Sequence, residues 1–102
     1  MAFLYEFHWD AVKAQANMAK HGVDFQRAAT VFRDPLAITI PDEEHSLTEA
    51  RWITLGKDIG GRYLLVIHTF EWLTPEQGRV RLFRQESPLR QKFVTMRHNH
   101  ET

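Results

Sequence analysis

Residues 62–69 read Arg-Tyr-Leu-Leu-Val-Ile-His-Thr, and this stretch decides the fold. From Tyr63 to Ile67 every residue is apolar or aromatic, and such a run is typical of a strand that is covered on both faces. Gly60 and Gly61 come just before it and indicate a turn. The stretch therefore predicts a central strand around which the rest of a sheet is assembled.

Further segments on either side of this strand have the composition of strands. They are residues 36–40, 51–55 and 79–83. In the last of them Arg79 and Arg81 alternate with apolar residues, as in a strand with one solvated face. Residues 71–78 are expected to form a hairpin loop, and residues 3–9 an extended arm of aromatic side chains. With short connections, neighbouring strands are expected to pair antiparallel.

Two helices are predicted before the strands. Residues 11–20 are rich in good helix formers; Asp10 is placed to cap this helix and Gly22 to end it. Val12, Ala16 and Ala19 or Lys20 are expected to form its narrow apolar stripe. A second helix begins near Asp24 and has an apolar face. That face consists of Phe25, Ala28, Ala29 and Phe32.

A last helix is predicted to begin at Ser87 or Pro88, with Leu89, Phe93 and Met96 on one face. The expected fold is therefore α+β, with two N-terminal helices, a four-stranded antiparallel sheet and a C-terminal helix. A chain of 102 residues that is 43% hydrophobic fits one domain, residues 1–102. We expect residues 97–102 to form a flexible tail.

Composition excludes several classes of protein. The chain has no cysteine, so disulfides and thiolate metal sites are excluded. No apolar run is long enough to span a membrane, and the first ten residues do not resemble a signal peptide, so we expect a cytoplasmic protein with no membrane partner. Thirteen basic residues balance 13 acidic ones. The basic residues are nevertheless concentrated in the last quarter of the chain, from Arg79 onwards.

Several motifs resemble the BrnT family of bacterial toxin–antitoxin ribonucleases. They are Phe7-His8-Trp9-Asp10 with Lys13, Asn17, Lys20-His21-Gly22-Val23 with Phe25, Ala28-Ala29, Val31-Phe32, Asp34-Pro35, Arg51, Ile53-Thr54-Leu55-Gly56, Gly61-Arg62 and His68-Thr69. The resemblance covers roughly residues 5–83. It rests on the combination of these motifs rather than on any one of them.

The resemblance implies a RelE-like fold and an endoribonuclease toxin that cleaves RNA without a metal or other cofactor and inhibits translation. It also implies a DNA-binding, BrnA-like antitoxin as partner, through which the complex reaches operator DNA. A homodimer is a further possibility for the isolated chain. At Phe83-Arg84-Gln85-Glu86 the sequence departs from the family pattern, since an acid stands where an arginine is expected. The alternative is a non-catalytic or weakly active relative that serves as a protein-binding, co-repressor subunit.

RNA cleavage by side chains alone requires proton transfer and a positive charge beside the phosphate. His68 is the candidate for proton transfer; its alternative role is to bond the backbone at a strand end. Arg62, Arg79 and Arg81 complete the predicted catalytic set, because an arginine fork matches two phosphate oxygens. A solvated sheet face explains Arg79 and Arg81 equally well, and ordinary turn solvation explains Arg62.

Four more residues are predicted to bind RNA. They are Lys57, Arg84, Lys20 and His21. The alternative for Lys20 and His21 is structural, because cations are favoured at a helix C-terminus. Trp9 and Phe7 are predicted to pack rather than to stack on bases. The six histidines show no spacing typical of a metal site.

Overall fold

The structure, a computed structural model, describes residues 3–88. Within these residues two helices pack against a six-stranded mixed sheet. In chain order the elements are β1 (Leu4–Trp9), α1 (Ala11–His21), α2 (Phe25–Ala29), a 3₁₀ turn (Thr30–Arg33), β2 (Ile38–Pro41), a second 3₁₀ turn (Glu43–His45), β3 (Trp52–Lys57), β4 (Tyr63–His68), β5 (Glu71–Thr74) and β6 (Gln77–Glu86). No helix in residues 3–88 is long and apolar enough to cross a membrane.

The two helices begin and end where the capping residues predict. The Asp10 side chain accepts a hydrogen bond from the Lys13 N–H at the start of α1, and Asp24 caps α2 in the same way. Gly22 ends α1 with a φ of 73°, a left-handed conformation that glycine adopts without steric cost. The buried face of the second helix is confirmed, although its last turn tightens into the 3₁₀ turn.

The predicted apolar side of α1 is wrong. Val12 is 74% exposed, and the residue that the helix buries is Asn17. The Asn17 Oδ1 accepts a hydrogen bond from the Gln85 N–H at 3.0 Å, and its Nδ2 donates to the Val23 carbonyl at 3.3 Å. A polar residue is therefore buried because it bonds a strand and a loop, which helical periodicity does not reveal.

The strand order is β1-β6-β4-β3-β2, and β5 pairs with β6 beside this path. The central position predicted for residues 62–69 is confirmed, because β4 lies between β6 and β3 and every residue from Leu64 to His68 is buried. Strands β2, β3, β4 and β6 pair antiparallel with their neighbours in this order, as expected.

The prediction of a four-stranded, purely antiparallel sheet is wrong. The aromatic segment expected to be an arm forms β1, which pairs parallel with β6 from Leu4↔Gln77 to Trp9↔Leu82. The segment expected to be a hairpin loop contains β5. A parallel pair between segments about seventy residues apart depends on how the whole chain closes, so no local pattern predicts it.

The prediction of a C-terminal helix is also wrong where the structure tests it. Strand β6 continues to Glu86, which pairs with Leu65, and neither Ser87 nor Pro88 is helical. Pairing with the central strand extends β6 past the end that its own alternation suggests. The expected helix beyond Pro88 and the predicted tail at 97–102 lie outside the described residues.

The main core lies between the helices and the sheet. It consists of Val23, Phe25, Ala28, Ala29, Val31, Leu64, Val66, Val80 and Leu82. As predicted, Phe7 and Trp9 pack against it. Each fully buried Val, Leu or Phe contributes about 1.5–3 kcal/mol relative to an exposed position. A smaller cluster of Ile53, Leu65 and Ile67 occupies the opposite face of the sheet.

Candidate functional site

A groove lies between α1 and the C-terminal half of β6. Strand β1 runs beside β6 only as far as the pair Trp9↔Leu82, and the chain then turns into α1. The helix therefore takes the place of a neighbouring strand and leaves a cavity of about 310 Å³. Its lining, here called the basic groove, consists of Lys13, Ala16, Asn17, Lys20, His21, Arg51, Ile67, Phe83 and Arg84.

The basic groove is strongly positive for a protein with no net charge. Four of its lining residues are lysine or arginine, and none of the residues within 3–88 that line it is acidic. Cations this close repel one another unless an anion lies between them. The groove is therefore suited to a ligand that carries several negative charges, such as the backbone of a nucleic acid.

The ring of Phe83 organises these cations. The guanidinium carbon of Arg51 lies 4.0 Å from the ring centroid, the Lys13 Nζ lies 5.1 Å from it, and the Arg81 guanidinium carbon lies 5.0 Å from it. A cation is attracted to the face of an aromatic ring within about 6 Å. One half-buried phenylalanine thus brings together cations from α1, β6 and the residue before β3.

A bulge in the sheet places Phe83 in this position. Ile67 pairs with Arg84 whereas His68 pairs with Leu82, so Phe83 has no partner on β4. A bulged residue interrupts the alternation and redirects its side chain. Sequence alternation alone therefore assigns the residues of β6 after Phe83 to the wrong faces.

Arg51 retains hydrogen-bonding capacity. Its Nη2 lies 3.8 Å from the Glu49 carboxylate, and its buried Nε has no hydrogen-bond partner in the part of the chain that the structure describes. A buried donor without a partner costs about 1–3 kcal/mol.

Arg79 and Arg81 project from the face opposite the helices, as their alternation with core residues requires. Each is paired with acids. Arg79 bonds Glu6 at 3.1 Å and Glu71 at 2.9 Å, whereas the Arg81 Nη2 lies 2.7 Å from the nearer Glu49 oxygen.

These pairs also affect proton affinity. The hydrogen bond from His8, followed by that from Arg79, lowers the pKa of Glu6. The bond with Glu6 in turn raises the pKa of Arg79. An RNA phosphate therefore competes with carboxylates for Arg79, which is less available than the lysines of the groove.

His68 lies on the other side of the sheet from these arginines. It pairs with Leu82 of the main core, and Phe32 packs edge-on against its ring with centroids 4.9 Å apart. It is only 2% exposed. The predicted set of His68, Arg79 and Arg81 is thus divided between two faces of the sheet.

Both ring nitrogens of His68 are occupied. The Nδ1 lies 2.9 Å from the Thr69 carbonyl, and the Nε2 lies 2.7 Å from the Thr54 Oγ1. A carbonyl only accepts, so Nδ1 carries the proton in the neutral ring and Nε2 accepts from the Thr54 hydroxyl. Burial lowers the pKa of His68, against a smaller opposite effect of the Thr69 carbonyl.

Lys57 and Arg62 lie at the far end of β4 from His68, where Lys57 ends β3 and Arg62 directly precedes β4. A six-residue strand spans roughly 20 Å, so they are not part of the basic groove. The buried Asp58 holds this turn by accepting hydrogen bonds from the Arg62 N–H at 2.9 Å and the Arg27 Nε at 2.8 Å.

The structure therefore brings together three of the four residues predicted to bind RNA: Lys20, His21 and Arg84. Lys13 and Arg51 join them, although the sequence analysis did not assign them to the site. Lys13, Asn17 and Lys20 are spaced i, i+4, i+7, and this spacing on one helix face was the available signal. No comparable signal identifies Arg51, because the fold alone brings it to the groove.

His, Asp and Glu side chains form no group of three that could hold a metal ion within residues 3–88. Helices packed on a sheet, with a groove of cations around one aromatic ring, define a small α+β domain with a candidate site for a polyanion.

The model of the family described as "Ribonuclease toxin, BrnT, of type II toxin-antitoxin system" matches residues 9–84. The chain therefore belongs to the BrnT family of ribonuclease toxins. Membership in a type II toxin–antitoxin family also supports an antitoxin as its partner.

The fold is similar to that of the Brucella abortus ribonuclease toxin BrnT, whose crystal structure was determined at 1.1 Å resolution. The TM-score is 0.56 and the sequence identity is 24%, and the match covers 82% of this chain and 95% of that chain. At this identity the likeness concerns the fold alone. No curated protein matches the chain.

Proposed function

We propose that the chain is an endoribonuclease that binds single-stranded RNA in the basic groove and cleaves it with side chains alone. The observation that carries this proposal is the groove itself, which has four lysine and arginine residues, one histidine and no acid among its described lining. Family membership supplies the reaction class, a ribonuclease toxin.

In this proposal Arg51 and Arg84 hold the phosphate, because each has a planar fork of donors that matches two phosphate oxygens; the phosphate displaces Glu86 from Arg84. Lys13 and Lys20 neutralise neighbouring phosphates. His21 transfers protons, since histidine changes its protonation state near neutral pH and lies among these cations. Stabilising the charge that develops on the phosphate contributes the largest part of the rate.

The other residues that the sequence predicts for the site take other roles in this proposal. Arg81 contributes when RNA displaces Glu49 from its guanidinium, and Arg79 contributes only if both of its acids are displaced. His68 is a positioning residue, because its two nitrogens already bond Thr54 and Thr69. Arg62 and Lys57 lie too far away to touch the same phosphate.

The cellular role follows from the family. We infer that the chain acts in the cytoplasm, where it inhibits translation by cutting RNA. A DNA-binding, BrnA-like antitoxin neutralises it by covering the basic groove with an acidic or amphipathic segment. Operator DNA is then bound by the antitoxin and not by this chain.

The test compares Lys20→Ala and Arg84→Ala with Arg33→Ala. All three side chains are exposed, and Arg33→Ala removes one positive charge outside the groove. The measurements are growth after induced expression, cleavage of a labelled single-stranded RNA, and RNA affinity over a range of salt concentrations. Each groove variant is expected to stop arresting growth. The slope of log RNA affinity against log salt concentration is expected to become shallower by roughly 0.7, the value for one phosphate contact on a single strand. Arg33→Ala is expected to keep both growth arrest and the wild-type slope.

Two further measurements complete this test. His21→Ala is expected to bind RNA nearly as tightly as wild type but to cleave it about 10²–10⁴-fold more slowly. Cleavage by the wild type is expected to continue in excess EDTA. If Arg33→Ala is affected as much as the groove variants, the groove is not the site, and if EDTA abolishes cleavage, the metal-free mechanism is wrong.

A second function is favoured by one observation. Glu86, the acid that departs from the family pattern, pairs with Arg84 at 2.7 Å on the edge of the groove. A groove whose positive charge is reduced by this pair suits a protein-binding, co-repressor subunit with weak cleavage. Wild type that binds RNA or antitoxin without cutting would favour this function, and Glu86→Arg would then raise the cleavage rate.

A further inference from the structure

A second cavity lies on the helix side of the sheet, beside the 3₁₀ turn at Thr30–Arg33. Its volume is about 310 Å³, within the range of small-ligand sites. Its lining, here called the aromatic cleft, consists of Tyr5, Phe32, Thr39, Trp52, His68, Phe70 and Trp72. Five of these seven residues are aromatic, besides the imidazole of His68.

The aromatic cleft presents ring surface to solvent. Trp72 is 67% exposed and Tyr5 is 39% exposed, although both contact other rings. Trp72 meets Phe70 at a centroid distance of 5.1 Å and an angle of 86°, and Tyr5 meets Phe32 at 5.3 Å. These contacts hold the rings in place before a ligand arrives, which lowers the entropy cost of binding. An exposed tryptophan at the rim of an apolar cavity is typical of a binding site.

A chain of hydroxyl groups leads from His68 to the cleft. The Thr54 Oγ1 lies 2.7 Å from the His68 Nε2 and 2.8 Å from the Thr39 Oγ1. Because neutral His68 accepts at Nε2, the single hydroxyl proton of Thr54 points to the ring. Thr39 must then donate its own proton to Thr54.

The cleft therefore offers an acceptor to its ligand. Thr54 and His68 are buried, whereas Thr39 is exposed, so Thr39 is the member of the chain that a ligand reaches. With its proton directed to Thr54, the Thr39 oxygen presents only lone pairs. A matching ligand is flat, stacks on aromatic rings and carries an N–H donor on its edge.

Charge narrows the ligand further. No described residue that lines the cleft carries a formal charge when His68 is neutral. A phosphate finds no cation there and an ammonium group finds no carboxylate, so the part of the ligand that enters is uncharged. Among flat, uncharged groups with N–H donors, the nucleobases are the ones that an RNA substrate provides.

We propose that the aromatic cleft binds one unpaired nucleobase, stacked against Trp72 and donating an N–H to the Thr39 oxygen. The choice of a nucleobase rests on the proposed ribonuclease function, whereas the stacking and the acceptor rest on the cleft alone. The groove and the cleft open on opposite faces of the sheet near the start of β3, since Arg51 and Ile67 line one and their neighbours Trp52 and His68 line the other. One RNA strand must pass around the start of β3 to reach both.

The test uses uncharged nucleosides, which have no phosphate for the basic groove. Tryptophan fluorescence is recorded while adenosine, guanosine, cytidine or uridine is added to the full chain; Trp52 and Trp72 are the reporters in the cleft. At least one nucleoside is expected to change the signal with saturation. Ribose and inorganic phosphate are expected to have no such effect.

Three variants locate the binding. Trp72→Ala is expected to weaken nucleoside affinity about tenfold, from the loss of one stacking contact, with Trp52 left as the reporter. Thr39→Val keeps the shape and removes the acceptor, and a loss of roughly fivefold is expected. Tyr63→Ala, which removes an exposed aromatic ring outside the cleft, is the matched control and keeps wild-type affinity.

Two results would overturn the proposal. One is the absence of any saturable change in tryptophan fluorescence up to roughly 10 mM nucleoside, which would mean that binding is weaker than millimolar. The other is a fluorescence response to toluene that equals the response to nucleoside and is unchanged in Thr39→Val. This result would mean that the cleft binds an apolar group, such as a side chain of a partner protein. Lys20→Ala serves as a separate control: it is expected to abolish RNA cleavage while leaving nucleoside binding intact, so the failure of either proposal is recognised independently.

Discussion

A buried neutral histidine makes the stability of a fold depend on pH, and His68 allows this effect to be predicted in detail. Burial lowers the pKa of His68 below its ordinary value of 6.5. In the unfolded chain the same ring is expected to titrate near 6.5. Below that pH the unfolded state binds a proton that the folded state does not, so the contribution of His68 to stability is complete above about pH 6.5 and is lost as the pH falls.

The size of the effect follows from one proton and two hydrogen bonds. A single proton changes the free energy of unfolding by at most about 1.4 kcal/mol for each pH unit. The bonds to Thr54 and Thr69 add a part that does not depend on protonation, about 1–3 kcal/mol for the pair. The substitution His68→Gln removes the whole pH-dependent contribution of His68 to the free energy of unfolding. It also removes most of the contribution of the two hydrogen bonds.

The assay is urea unfolding followed by tryptophan fluorescence, for wild type and His68→Gln, at several values between about pH 7.5 and pH 5.5. The other five histidines are present in both proteins, so their titration cancels in the difference. The variant is expected to be less stable by about 1–3 kcal/mol at the higher pH. This difference is expected to narrow below about pH 6.5, by up to about 1.4 kcal/mol for each unit.

Two outcomes would refute the reasoning. A difference that stays constant over the whole range would mean that folding does not change the proton affinity of His68. A difference that widens at low pH would mean that the folded protein prefers the charged ring. The hydroxyl chain would then run in the opposite direction, and the acceptor assigned to Thr39 would be lost.

Two further predictions concern the fold. Gly56→Ala is expected to destabilise it by about 1–3 kcal/mol, because the new Cβ would lie 2.8 Å from the buried Val31 Cγ1; an unchanged melting temperature would contradict this. Asp58→Asn is expected to cost about 1.5–3 kcal/mol at neutral pH, because an amide opposes the donor of Arg27. Burial raises the pKa of Asp58, but the hydrogen bonds from Arg62, Arg27 and Gly60 outweigh burial, so the pKa lies below its ordinary value. The stability lost in Asp58→Asn is therefore expected to disappear as the pH falls below about 4, where the wild-type carboxylate is protonated. A loss that persists in acid would show that the ionised carboxylate of Asp58 is not what stabilises the turn.

Local signals predicted the helices and the central strand. The N-caps at Asp10 and Asp24 and the left-handed Gly22 act within one turn of their own positions, so the bonds they make are visible in the sequence. The run from Tyr63 to Ile67 is apolar at every position, which indicates two covered faces whatever the neighbouring strands are.

Long-range pairing explains the errors. The parallel pair of β1 and β6 and the extension of β6 to Glu86 depend on partners far away in the chain. The bulge at Phe83 shifts the residues that follow it to the other face, and no local pattern specifies which residue of β6 is left without a partner on β4. Asn17 was missed as a buried residue because its partners, Val23 and Gln85, belong to a loop and a distant strand.

The candidate site shows the same division. Residue types and their motifs were enough to indicate a ribonuclease and to name Lys20, His21 and Arg84 as candidates, because charge and family motifs are properties of the chain itself; that these three line one groove is a result of the fold. The sequence could not separate His68 from Arg79 and Arg81, since a strand that is apolar on both faces does not reveal which face meets the helices. Only the tertiary structure decided that, because the face of a β-residue is set by the register of its partners and by what packs above them.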